Sequence, residues 1–125
     1  MEDLPDGYVS KHFKERELAC PCCGKYLYCL RLLNSLEKLR RLGNGAPITV
    51  LSGTRCKDHN EDVGGADASK HLTGEAVDII VQGLMPLEVA ILLQGVEPFS
   101  HGGVGQYKYF THLDVRLEGQ ARWEG

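Results

Sequence analysis

Apolar positions along the chain fall into two periods. Between Leu27 and Leu42, the residues Leu32, Leu33, Leu36 and Leu39 recur at spacings of three and four, with Arg31, Glu37, Lys38, Arg40 and Arg41 filling the polar side. That pattern predicts an amphipathic helix packed across one face of a sheet. Gly43 and Asn44 supply the expected stop. A second helix is predicted from Pro86 through Gln94, with Pro86 in the first turn, Leu87, Ala90, Ile91 and Leu92 for its buried side, and Gly95 ending it. Strands are predicted where the run is β-branched or the period drops to two: Pro47 to Ser52, Ala76 to Val81, Val104 to Tyr107 and Phe110 to Leu117. The last two read as an antiparallel pair joined near Lys108. Residues 56–70 read as a long polar loop, which in a compact domain is usually functional or mobile. Near the N-terminus, FKERELAC can continue helically and Ser10 can cap a short turn. Residues 119–125 read as a tail with Trp123 packed back.

Two of these strands carry chemistry. Alternation puts Ala76, Asp78 and Ile80 on one face and Val77, Ile79 and Val81 on the other. A carboxylate on a buried strand needs a cation, an arginine or several N–H donors. His71, seven residues earlier and brought back by a turn at Gly74, suggests a shared metal. From Phe110 the polar set Phe110, His112, Asp114 and Arg116 alternates with Thr111, Leu113, Val115 and Leu117. The second set faces a core, so the first lines a groove. Two histidines and one carboxylate with an open fourth position match the ligand count of catalytic zinc, and the candidate ligands are His71, Asp78 and His112. The same spacing also fits hydrogen-bonded core histidines and a strand-edge aspartate. The strand at 47–52 delivers Arg55 where it gives way to loop, and a solvated surface charge is the plain alternative there. HGGVG at 101–105 has neither the length nor the lysine of a phosphate-binding loop. Its glycines suit close backbone approach beside a groove.

Composition narrows the function classes. The chain has 125 residues, enough for one domain, 1–125, with its own core. A formal charge of −3 with no basic stripe argues against a nucleic-acid partner. No apolar run approaches the roughly 20 residues of a membrane span. The opening MEDLPDG is unlike a signal peptide, so synthesis in the cytoplasm is expected. Five cysteines, Cys20, Cys22, Cys23, Cys29 and Cys56, form an odd count. CPCCG resembles half of a zinc knuckle, with Cys20 and Cys23 at the right spacing. Reduced thiols, a second structural zinc, and a Cys22 or Cys23 disulfide to Cys56 are the three states this pattern allows.

SGTR at 52–55, GGADASKHLTGEAVDI at 64–79, GVGQYKYFTHLDVR at 103–116 and ARW at 121–123, after the F-x-x-x-E-L-x-C opening from Phe13, resemble the zinc D-alanyl-D-alanine peptidases. That group includes D,D-carboxypeptidases, D,D-dipeptidases, phage endolysins and the hedgehog-like fold, and the short stand-alone peptidoglycan hydrolases are most similar. The resemblance implies an α+β fold, with a small antiparallel sheet as the floor of a cleft and packed helices behind. It also implies Zn2+ held by His71, Asp78 and His112, Arg55 polarising the scissile carbonyl, and a peptidoglycan peptide as substrate for a carboxypeptidase or endopeptidase. Such a protein is expected to act as a monomer on the cell wall after release or export. Many relatives place a carboxylate three residues before the third ligand as general base, where this chain has Tyr109. Asp114 is the nearest substitute, with His59, His101 and Glu75 behind it, although Asp114 could equally orient a histidine or pair with Arg116. Ser69, two residues before a ligand, could anchor the loop or touch substrate. A zinc-bearing wall-binding module without catalysis, supported by Tyr109, and a structural or redox protein organised on the cysteines are the rival readings.

Overall fold

The computed structural model of the chain describes residues 4–96 and 102–125, so His101 lies outside the described residues. Four α-helices occur among them, α1 (Glu15–Leu18), α2 (Leu30–Leu42), α3 (Lys57–Asp62) and α4 (Pro86–Leu93), with a short 3₁₀ turn at Lys70–Thr73. The strands are β1 (Ile48–Ser52), β2 (Ala76–Val81), β3 (Gly103–Gln106), β4 (Thr111–Asp114) and β5 (Ala121–Glu124). They form one sheet in the order β1-β2-β4-β3-β5. Every neighbouring pair is antiparallel except β3 and β5. The fold is α+β, as expected.

Packing follows the predicted stripe in α2 but not in α4, where Leu87 and Ile91 are exposed and Val89 and Leu93 are buried in their place. Leu32, Leu33, Leu36 and Leu39 of α2 are all buried, and they join Val77, Ile79 and Val81 of β2 and Leu113 of β4 in one core. Val89 and Leu93 of α4 and Phe13 from the N-terminal segment belong to the same cluster. Burying such leucines contributes roughly 1.5–3 kcal/mol each. Arg40 and Arg41 in the last turn of α2 complement its dipole. At α4, Pro86 opens the first turn and Glu88 Oε1 accepts the Met85 N–H at 2.9 Å.

Several boundaries differ from the periodic reading, each for a local reason. The helix predicted from Leu27 begins at Leu30, since Cys29 is extended at its N-cap, and the Leu27 N–H upstream donates to Thr54 Oγ1 at 3.2 Å. Glu37 does not face water. Its carboxylate accepts from Ser10 Oγ (2.7 Å), the His12 N–H (2.8 Å) and His12 Nδ1 (2.5 Å), clasping the N-terminal segment to α2. The 56–70 stretch is not one loop, since Cys56 caps α3 through a hydrogen bond from the His59 N–H. The tail at 119–125 contains a true edge strand, β5, paired parallel to β3. Leu117, expected in the core, is exposed because β4 ends at Asp114.

Candidate metal centre and cleft

The site is a single row of residues crossing the sheet. Register sets Ser52 opposite Asp78, Asp78 opposite His112, His112 opposite Gly105 and Gly105 opposite Trp123. Directly paired residues project to the same face, so the row presents a hydroxyl, a carboxylate, an imidazole, a gap and an indole side by side. Gly105 makes the gap. A Cβ there would lie 2.4 Å from Trp123 Nε1, and one at Gly103 would lie 2.3 Å from Asp114 Oδ2. The predicted close approach of these glycines is thus made to Trp123 and Asp114. The indole in turn lies 5.1 Å from the His112 ring.

His71 reaches this row from the 3₁₀ turn. Ser69 Oγ accepts the His71 N–H at 3.2 Å, and Gly74 closes the turn with φ +76°. Ser69 therefore anchors the loop. A Cβ at Gly74 would also meet Leu27 O at 2.5 Å. His71 Nδ1 lies 2.7 Å from the Gly53 carbonyl, an acceptor, so the ring proton sits on Nδ1 and Nε2 offers a lone pair. That Nε2 is 3.2 Å from Asp78 Oδ1. His112 is held the other way round: Nε2 is 2.9 Å from Asp114 Oδ2, leaving Nδ1 turned to Asp78 Oδ1 at 2.9 Å. The two rings meet edge to face with centroids 5.1 Å apart. All three side chains are buried.

The donor set fits a zinc ion. Among the described residues, one ligand atom from each of His71, Asp78 and His112 lies within 4.8 Å of the others. The two imidazole nitrogens and the carboxylate oxygen that face inward are of the types zinc prefers. Each histidine has its outer nitrogen hydrogen-bonded to an acceptor, the arrangement that fixes a ligand's tautomer. Burial alone would raise the Asp78 pKa, but hydrogen bonds and charge from His112 and His71 outweigh it and hold the carboxyl well below its usual range. Burial would likewise lower the pKa of His112, yet Asp114 and Asp78 together raise it.

Arg55 arrives at the end of β1 and is fixed on every side. Nη2 donates to Asp78 Oδ2 (3.2 Å), Nε to Ser52 Oγ (3.1 Å) and Nη1 to Asn60 Oδ1 (3.2 Å). Its own N–H donates to the His71 carbonyl at 3.0 Å. Buried Asn60, which the sequence did not single out, is itself tied to Ala66 O at 2.9 Å. A helix-turn asparagine has no periodic signature, so no pattern could have found it.

Asp114 stands behind His112 and is fully buried. Oδ1 accepts from the Gly103 N–H (3.0 Å), the Arg116 N–H (3.2 Å) and Arg116 Nε (2.8 Å), and Oδ2 accepts from Arg116 Nη2 (2.8 Å) as well as meeting His112. Burial raises its pKa, but Arg116 and His112 override this and keep it ionised far below the usual carboxylate range. A carboxylate so engaged orients a histidine and has no free lone pair for a water's proton. Tyr109 is an exposed turn residue and does not line the cleft. Glu75 pairs with Arg31 at 3.5 Å, and neither it nor His59 is on the cleft wall.

Above the row lies an open cleft of about 720 Å³. Tyr107 and Phe110, stacked with centroids 4.5 Å apart, and Trp123 form its aromatic wall. Among the described lining residues the carboxylates are Asp78 and Glu118, and the cations Arg55, Lys70 and Arg116 pair with Asp78, Glu118 and Asp114 respectively. Alternation puts Phe110 on the groove, whereas Tyr107 and Trp123 read as ordinary packing in the sequence, which is why the rest of this wall was missed.

A sheet floor carrying a His-Asp-His group that could hold a metal ion, beneath an open cleft, defines a small α+β protein with the donor set of a metal-dependent enzyme. The model of the Peptidase M15 family matches residues 11–114. The chain belongs to that family, and it is a peptidase by kind. Comparison with curated proteins gives no match.

Proposed function

We propose that this protein is a zinc-dependent hydrolase of peptide bonds in bacterial peptidoglycan, working as a monomer on the cell wall after release or export. The observation that carries the reading is the convergence of His71 Nε2, Asp78 Oδ1 and His112 Nδ1 on one point at the floor of the cleft. Bound zinc would supply Lewis acidity and a water acidic enough to attack an amide near neutral pH. The chain's own groups supply the rest. Asp114 and Gly53 O hold the two imidazoles in the tautomers that leave their inner nitrogens unprotonated. Arg55, pinned by Ser52 and Asn60, sets Asp78 and presents a fixed positive charge to an oxygen gaining negative charge. Among the described lining residues Glu118 is the carboxylate outside the ligand set, and it is the candidate to take and return the proton once released from Lys70.

Membership of the family supports a peptide substrate, and the resemblance to D-alanyl-D-alanine peptidases supports D-amino acids in it. Cleavage within cross-links is preferred over trimming of stem ends, because among the described lining residues the cations other than Arg55 are Lys70 and Arg116, which are paired with Glu118 and Asp114 and leave none ready for a terminal carboxylate. No helix among the described residues is long and apolar enough to cross a membrane.

The test is digestion of purified peptidoglycan and of free pentapeptide stems, with products read by mass spectrometry. Cleaved cross-links that vanish after chelation and return with zinc are expected. Full turnover by the metal-free protein would contradict the metal reading, and terminal D-alanine release alone would contradict the endopeptidase reading. No turnover by either zinc-loaded wild type or Glu118→Gln would favour the binding-module alternative.

A further inference from the structure

A second set of ligand-type side chains is gathered away from the cleft. Residues 20–25 form a tight turn in which the Gly24 N–H donates to Cys20 O at 2.7 Å and the Cys20 N–H donates to Lys25 O at 2.8 Å. The Cys56 N–H donates to the Cys20 sulfur at 3.5 Å. Cys56 is brought there from 36 residues away, because the Thr54 N–H is tied to Leu18 O at 2.7 Å. Its sulfur stands 3.7 Å from that of Cys20 and accepts the His59 N–H at 3.4 Å.

Two ordinary explanations fit poorly. A disulfide needs sulfurs about 2 Å apart, whereas all five cysteines are free thiols, and the Cys22 or Cys23 pairing with Cys56 that the pattern also allows is not formed. Apolar packing would bury the thiols, yet Cys22 and Cys23 are exposed and Cys56 is half-exposed. Tetrahedral zinc with bonds of about 2.3 Å has its sulfurs about 3.8 Å apart, close to the Cys20–Cys56 separation. Backbone N–H donors aimed at sulfur favour thiolate over thiol.

We propose that Cys20, Cys23 and Cys56, whose sulfurs lie within 4.8 Å of one another, hold a structural zinc ion distinct from the cleft metal. Binding releases the thiol protons to solvent. The ion staples the 20–25 turn to the cap of α3, one residue beyond Arg55. It rests on different residues from the cleft reading and stands or falls separately.

The experiment uses the full chain in three forms: wild type, His71→Ala, and the double variant Cys23→Ser with Cys56→Ser. Zinc is counted, and the ion is then exchanged for cobalt. Expected are two equivalents of zinc in wild type and one in each variant. A thiolate-to-cobalt charge-transfer band should appear in wild type and His71→Ala and be missing from the cysteine variant. The His71→Ala spectrum decides the matter even if the cysteine variant fails to fold. A His71→Ala protein that binds no cobalt through sulfur, or whose native thiols all react at once with an alkylating agent, overturns the proposal. So does a wild-type mass lower by the two hydrogens of a disulfide.

Discussion

Asp114 acts on the centre through His112, whereas Arg55 holds Asp78 and also faces the cleft, so their substitution should separate metal retention from turnover. Asp114→Asn breaks the chelate with Arg116 and loosens the His112 tautomer. Zinc affinity is expected to fall about 10–100-fold, as for other carboxylates behind a ligating histidine, and competition with a chromophoric chelator would measure it. Retained affinity with abolished activity would instead return Asp114 to the role of base. Arg55→Ala is expected to lower kcat/KM on peptidoglycan peptides by about a hundredfold, roughly 3 kcal/mol of transition-state stabilisation, with a smaller loss of metal. The candidate ligands were legible in the sequence because alternation in a buried strand leaves Asp78 and His112 in need of a cation or hydrogen-bond partners, and the pairing of Asp114 with Arg116 was among the readings it offered. The supports Asn60 and Gly53 O were not, because a carbonyl or a turn side chain acquires its role only when distant segments meet.

At the level of elements, the sheet register is what makes a site out of five strands. Gly105→Ala forces the Trp123 indole away from His112. It is expected to quench less protein fluorescence on metal binding than wild type does and to weaken peptide affinity, since base-of-cleft and wall move together. On the opposite face Thr111 is buried, and its hydroxyl has no partner among the described residues. Thr111→Val should therefore leave stability unchanged or raise it by about 1 kcal/mol, read from denaturant midpoints, and a loss above that size would show that the hydroxyl is satisfied. The bounds of β2 and the stripe of α2 could be read in advance, since period and burial agree there. The pairing of β5 could not: the four alternating residues ARWE are too few to tell a strand from a tail, and its place is set by Trp123 filling the space over Gly105.

The molecule as a whole is closed at its N-terminal end by Glu37. Burial raises the pKa of this carboxyl, but bonds from His12 and Ser10 prevail and hold it below its ordinary 4.5. A carboxyl lowered in the folded state adds stability above the unfolded value and loses it as pH falls through the folded one. Wild type should exceed Glu37→Gln by about 1–2 kcal/mol above pH 4.5, and the gap should shrink as the pH drops further. A gap independent of pH would contradict the clasp. The sequence placed Glu37 on a wet helix side because periodicity describes one helix and not the segment that later covers it.

Anomalous scattering at the zinc absorption edge from crystals of the zinc-loaded protein tests the central claim most directly. A peak is expected within bonding distance of His71 Nε2, Asp78 Oδ1 and His112 Nδ1, facing the cleft. No peak there, or one bound through the outer nitrogens of either histidine, would contradict it.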